Sequence, residues 1–444
     1  MSVMLSRKKL LMIAICFAVT ACGDKQNTDS APNDAGKSTD TAADPKKITD
    51  TPTDLYIAYP GSGEKDELFM QRFGEQIKKK FPNYTLKYVP RILAEGTNYY
   101  ASYLASGAPI DIMISSLGTT TIYLTNLKLE SDISDLIKKY NYDLARIEPS
   151  LIDIQRQLAN GGIYGLPWTS GSFVFLYNKD IFDKFGVAYP KDGMTWDETY
   201  ELAKKLTRTD GGTSYKGFAF QFENAMGTNQ LSAPYFDSKT HKSKFLEDNF
   251  IKAFENMARF YKIPGNEPPT VGVPVAFQKD KTVAMFMGTS GQIKPTAEQV
   301  PNWNTASTPE MPQKPGVGFQ AAPEYFYITS MSKSRDAAFQ VLAYIASDEF
   351  QEWMGRTTAI LPVSKNPDKL MQTFGADLPG FQGKNVKSLI PRTYAPLTIT
   401  PYLTTGNSEM TTALKDYLGG KDLNTALREA GERADKRIAT EQGK

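Results

Sequence analysis

The chain has 444 residues, with 51 Lys and Arg set against 49 Asp and Glu, and a formal net charge of +2. A balance so close to neutral argues against nucleic acid as a partner. The single histidine, His241, sits in the polar stretch Lys239-Thr240-His241-Lys242, so a Ser-His-Asp arrangement has no other base to use.

Arg7, Lys8 and Lys9 precede an apolar run from Leu10 to Val19 that ends in Thr20-Ala21-Cys22. The run is too short to span a bilayer permanently, and small residues before a cysteine form the pattern of a lipoprotein signal peptide. Residues 1–21 are the expected leader and Cys22 the expected lipidated N-terminus. Two acyl chains, at about 0.8 kcal/mol per buried methylene, anchor stably where one would not. Cys16, the only other cysteine, leaves with the leader, so no disulfide is expected, and loss of the three basic residues takes the net charge from +2 to −1. Residues 22–53 are rich in Asp, Thr, Lys, Ala and Pro and nearly lack large apolar side chains. They read as a disordered tether whose reach, fully extended, is on the order of 100 Å. No later stretch approaches twenty apolar residues, so nothing else is expected to enter the membrane.

The folded body begins with the apolar run Leu55 to Tyr59, which stops at Pro60-Gly61-Ser62-Gly63 and reads as a strand and loop. A helix with Phe69, Phe73 and Ile77 on one stripe follows, then a turn at Phe81-Pro82-Asn83 and a second strand, Tyr84 to Val89: a βαβ unit. A helical stretch with Tyr99, Tyr103 and Leu104 leads to a third strand, Ile110 to Ile114, ending at Ser115-Ser116. Alternation of this kind predicts a mostly parallel sheet covered by helices. Thr195-Trp196-Asp197-Glu198 has the form of a capping box, which assigns its two carboxylates to a helix N-terminus rather than to acid/base chemistry. Phe245 to Lys262 and Arg335 to Ala346 are amphipathic helices, whereas 263–275 and 295–319 are dense in turn residues and read as sparse in regular structure.

Asn160-Gly161-Gly162-Ile163-Tyr164-Gly165-Leu166-Pro167, then Leu176 to Val187, Pro190 and Thr195 to Glu198, resemble in order and spacing the bacterial extracellular solute-binding protein family 1. Phe277 to Met285, and Ala337 through Tyr344 to Phe350 and on to Leu361-Pro362-Val363, match the same family. The resemblance implies a periplasmic-binding-protein fold, in which two α/β lobes joined by two or three crossings close over a small solute. It puts 54–167 and 288–322 in the first lobe, and 168–287 and 323–440 in the second. It further implies a sugar as solute, the permease subunits of an ABC importer as partner, a monomer, and neither cofactor nor metal. Closure is a population shift: a solute that touches both lobes only in the closed state stabilises that state.

Open α/β sheets bind ligands beyond the carboxyl ends of their strands, which selects Tyr59 and Ser62 after the first strand and Ser115 and Ser116 after the third. The resemblance adds Trp168 and Ser172 at a crossing, Phe222 and Glu223 in the second lobe, and Ser290 and Tyr325 near other crossings. An aromatic face gives a pyranose ring apolar contact, and hydroxyls with a carboxylate bond its OH groups. Three alternatives stand beside this reading. A glycan-degrading enzyme would need two catalytic carboxylates. A metal receptor would use Tyr99 and Tyr100, although a helical reading gives Tyr99 to the core and Tyr100 to its flank. A sensor partner would share the fold and dock on a kinase.

Overall fold

The structure is a computed structural model that describes residues 50–95 and 98–443. The leader, Cys22 and most of the tether lie outside the described residues.

The opening βαβ unit forms as its pattern requires. β1 (Thr53–Ala58) pairs in parallel with β2 (Tyr84–Val89), and on its other side with β3 (Ile112–Ser116). β4 (Gly165–Thr169) closes this sheet, whose order is β2-β1-β3-β11-β4. β11 (Glu324–Ile328) arrives from far along the chain and pairs antiparallel with both β3 and β4. Its residues alternate between two cores: Phe326 and Ile328 pack with Leu55, Phe73 and Trp168, while Tyr325 and Tyr327 pack with Ala58, Met113 and Tyr100 on the opposite face.

The second sheet, of order β6-β7-β8-β5-β9, uses β5 (Phe173–Asn178), β6 (Arg208–Asp210), β7 (Thr213–Phe220), β8 (Val283–Thr289) and β9 (Trp303–Ala306). Only β7 and β8 run parallel in it. Both sheets are mixed, so the two-lobed α/β architecture stands while the parallel character expected of each sheet is diluted, most of all in the second. The helix Trp196–Leu206 lies so close on β7 that a Cβ at Gly217 would sit 2.0 Å from the Ala203 carbonyl oxygen. Its capping box is complete: the Glu198 N–H donates to Thr195 Oγ1 at 3.2 Å and the Thr195 N–H to Glu198 Oε2 at 2.7 Å.

The sheets divide the later chain differently from the lobe boundaries that the resemblance implied. Residues 288–322, expected in the first lobe, complete β8 and supply β9 of the second sheet. The start of 323–440, expected in the second lobe, returns to the first as β11, and the helices Arg335–Ile345 and Asp348–Thr358 pack on the core of Leu55, Phe73 and Trp168. The physical reason is the pairing of β11, which satisfies the facing edges of β3 and β4 and feeds both of that sheet's cores. The segment 295–319, expected to be sparse, holds the helix Ile293–Gln299, β9 and most of β10 (Val317–Gln320).

The chain passes between lobes at Ser170–Ser172, at Ala321–Pro323, after the helix Asp348–Thr358, and after β12 (Thr393–Ala395), which pairs in parallel with β10 as a small separate ribbon. Beyond β12, Leu397 and Ile399 lie against the first lobe, and the helices Leu403–Leu418 and Leu423–Glu441 pack into the second. At the first two crossings backbone meets backbone: the Ala322 N–H donates to the Gly171 carbonyl at 3.3 Å. Gly171 has φ +51°, and a Cβ there would stand 2.1 Å from the Ala322 carbonyl oxygen, so glycine is required twice over.

Candidate binding cleft

Two sheets with crossings between them leave their strand-end loops facing a common space. In the first lobe, β1 runs into the turn Pro60–Ser62 and β3 ends at Ser116. Because β11 is antiparallel, its first residue, Glu324, lies at the same edge, beside Ser116 on one side and Thr169 on the other. In the second lobe β7 leads into Gln221–Asn224 and β8 into Ser290–Gln292.

A cavity of about 200 Å³ opens between Ser116-Leu117-Gly118, the Ala321–Pro323 crossing and the Leu397–Thr400 segment on one side, and Gly227-Thr228, Tyr235 and Leu403 on the other. An ordinary small-molecule site occupies ~300–1,000 Å³, so this space is small for one. Its walls come from both lobes and two crossings, and any change in the angle between lobes changes it.

The first-lobe side carries a hydroxyl cluster. Thr119 Oγ1 lies 2.8 Å from Ser115 Oγ and 2.9 Å from Ser116 Oγ. Ser62 has a different duty: it donates to the Lys65 carbonyl at 2.7 Å and accepts the Phe69 N–H at 3.1 Å, folding the loop into the next helix. Tyr59 is buried, and its hydroxyl accepts from Arg72 at 2.7 Å. Burial, reinforced by the Glu324 charge and opposed by Arg72, pushes the phenol up to about 12. On the second-lobe side, the Ser290 N–H donates to the Ser172 carbonyl at 2.8 Å, while Ser172 Oγ is buried without a partner. The Tyr235 hydroxyl is shared between the Glu223 carbonyl at 2.7 Å and Asn407 Oδ1 at 2.9 Å, and the Asn407 amide reaches Asn224 Oδ1 at 3.2 Å.

Of the sequence-selected residues Ser116 lines this cavity, while Tyr59, Ser115, Ser172, Glu223 and Ser290 lie in or next to the segments that join the strand ends and do not line it. Three other sequence-selected residues sit differently. Tyr325 is fully buried, its hydroxyl donating to the Leu151 carbonyl at 2.7 Å, so it offers no surface to a solute. Phe222 packs edge-on against Phe254, with ring centroids 5.0 Å apart, inside the second-lobe core. Trp168 is 2 % exposed and meets Phe73 edge-on at 5.0 Å, which leaves no ring face for a sugar to cover. Its indole N–H is near enough to the Glu324 carboxyl to favour the ionised form, yet falls short of hydrogen-bond geometry.

The tyrosine pair is also reversed. Tyr100 is the core residue, 1 % exposed, and Tyr99 is half-buried beneath Arg91, whose guanidinium stands 4.8 Å from its ring centre. Tyr100 precedes the short helix Ala101–Ala105 rather than lying on it, so helical spacing did not apply.

Sequence reasoning passed over Glu324 and Arg72. Glu324 gave no motif, and its place at the cleft edge follows only from the antiparallel return of β11. Arg72 belongs to a π-helical segment, Met70–Gly74, that interrupts the 3.6-residue period; such segments are frequent at functional sites.

The sequence profile described as bacterial extracellular solute-binding protein matches residues 60–352. The chain belongs to that family. A putative binding protein of Brucella abortus is 25% identical over 321 residues, 65% of this chain and 69% of that one. The arabinooligosaccharide-binding protein of Bacillus subtilis is 26% identical over 196 residues, 43% of each chain. The solved structure of the sugar-binding protein MalE from Xanthomonas citri superposes with a TM-score of 0.70 at 18% identity, covering 88% of this chain and 98% of that one. As an extracellular solute-binding protein, the chain works outside the cytoplasm by capturing a solute.

Proposed function

We propose that this solute-binding protein is the lipid-anchored receptor of an ABC importer for a carbohydrate, which it captures by closing its two lobes. The observation that carries the reading is a cavity whose walls come from both lobes and whose lining holds no charged side chain, its polar groups being neutral hydroxyls and an amide such as Ser116, Thr228, Ser232, Gln320 and Thr400. Such groups recognise sugar hydroxyls, and a solute that bridges them stabilises the closed state by the contacts it gains there. The names of the Bacillus subtilis and Xanthomonas citri proteins point the same way. The lipid anchor at Cys22 and the tether to about residue 53 would hold the body near a permease while letting it search.

A thermal-shift screen of the mature chain against mono- and oligosaccharides, alditols, glycerophosphodiesters, polyamines and metal ions tests this. A ligand at a hundred times its dissociation constant adds about 2.7 kcal/mol to stability. A shift with a carbohydrate and none with metals or polyamines is expected; the reverse pattern overturns the reading.

A further inference from the structure

The cavity between the lobes is more apolar than sugar hydroxyls alone require. Four half-buried aliphatic side chains line it: Leu117, Leu397 and Ile399 pack on a core of the first lobe, and Leu403 on a core of the second. Apolar surface of this kind, left facing water, is covered favourably by a ligand. Room among these side chains is left by Gly118, which lies in the short helix Leu117–Thr120 with no left-handed φ, where alanine would be the more favourable residue. A Cβ there would meet only Leu403 Cδ2, at 3.7 Å across the gap between lobes. Two neutral polar groups on the lining are left with capacity. Ser232 Oγ is buried without a partner. Gln320 donates from Nε2 to the Asn229 carbonyl at 2.9 Å, while among the described residues no donor reaches its Oε1.

We propose that the solute is a neutral glycoside with an apolar aglycone, alkyl or aryl, and that the aglycone is the part that fills this cavity. This deepens the carbohydrate reading above and rests on it. Size agrees, because an apolar cavity of about 150 Å³ takes a ring as large as benzene. The cavity here, about 200 Å³, has room for an aryl group or a short alkyl chain but not for a whole oligosaccharide. Charge agrees as well: no charged side chain lines the space, so an ionised group would give up its hydration there without a partner. A bare sugar fits worse, since hydroxyls set against Leu117, Leu397, Ile399 and Leu403 would lose water and gain neither donor nor acceptor. At the root of the aglycone, Ser232 Oγ supplies a donor for the glycosidic oxygen and Gln320 Oε1 an acceptor for the neighbouring hydroxyl. Because the aliphatic groups come from both lobes, an aglycone among them is desolvated only when the lobes hold it together, which couples its burial to closure.

The test measures affinities by calorimetry for the full mature chain and for Gly118→Leu and Leu397→Asn. The probes are glucose, galactose, arabinose, xylose and maltose, with the methyl, butyl and phenyl glycosides of each. One methylene removed from water is worth about fourfold in affinity, so the wild type is expected to bind the butyl or phenyl glycoside of at least one sugar about tenfold or more tightly than its methyl glycoside. Gly118→Leu fills the cavity and should abolish that preference while the methyl glycoside still binds; Leu397→Asn should reduce it. The melting midpoint of each empty variant is read alongside, and a variant that does not melt cooperatively is replaced in the comparison by the other. Equal affinity for a sugar and for its butyl and phenyl glycosides, or a preference that survives in both variants, overturns the inference and leaves the carbohydrate reading intact. Binding of neither sugars nor glycosides overturns both.

Discussion

Gly171 offers the most direct perturbation of the hinge. Replacing it with alanine acts in two ways. The residue sits at φ +51°, where an L side chain costs roughly 1–2 kcal/mol. The new methyl would also lie 2.1 Å from the Ala322 carbonyl oxygen, so the two crossings must separate by about 1 Å, taking with them the Ala322 N–H to Gly171 carbonyl bond, worth about 1 kcal/mol. The sum is about 2–3 kcal/mol, which at roughly 2–4 °C per kcal/mol lowers the melting midpoint by about 4–12 °C. Gly186, at φ +62° with nothing within 4 Å of its Cβ, is the control: Gly186→Ala carries the backbone cost alone and should lose about half to two thirds as much. Scanning calorimetry of both variants reads the midpoints, and solute titration reads whether Gly171→Ala also changes affinity. Equal midpoints for Gly171→Ala and Gly186→Ala would refute the close contact between the crossings.

Phe73→Ala should cost about 3–5 kcal/mol, because its ring meets Tyr59, Phe69, Trp168, Phe326 and Phe350 in the first-lobe core; denaturant unfolding that shows under 1 kcal/mol would remove it from that role. E324Q is expected to melt higher than the wild type at neutral pH. Burial raises the Glu324 pKa above its ordinary value of 4.5, so the group's favourable contribution is complete below that value and is lost as pH rises through the raised pKa. The advantage of E324Q should therefore grow with pH over that interval and vanish in acid; an advantage that grew in acid would contradict the burial of the charge. Tyr235→Phe should weaken solute binding severalfold by freeing Asn407 and the Glu223 carbonyl from a shared hydroxyl, and unchanged affinity would exclude that wall from the site. Cys22→Ser should abolish labelling by a palmitate analogue and release the protein from membranes; retained labelling would refute the anchor.

Much of the first lobe was legible because its signals are local. β1, the helical stripe of Phe69, Phe73 and Ile77, β2 and β3 all follow from short periodicities bounded by turn residues, and the capping box at Thr195 formed as written. The lobe boundaries after residue 287 were not legible, since they depend on β11 pairing with strands that lie about 155 to 216 residues earlier, which no window of sequence reports. The same long-range return hid Glu324. It also misled the assignment of Tyr325, because only the pairing of β11 between β3 and β4 buries that side chain. Trp168 was selected for its aromatic ring, but the ring serves the Phe73 core and its N–H is buried with it. Arg72 lay in a helix whose π-helical turn departs from the expected period, so no stripe of the helical pattern pointed to it.

Small-angle scattering of the mature chain, with and without the carbohydrate that gives the largest thermal shift, tests capture by closure most directly. The radius of gyration should fall on saturation, and the fall should follow the same binding curve as calorimetry. A scattering profile unchanged by a solute that demonstrably binds would show that the lobes do not move to hold it.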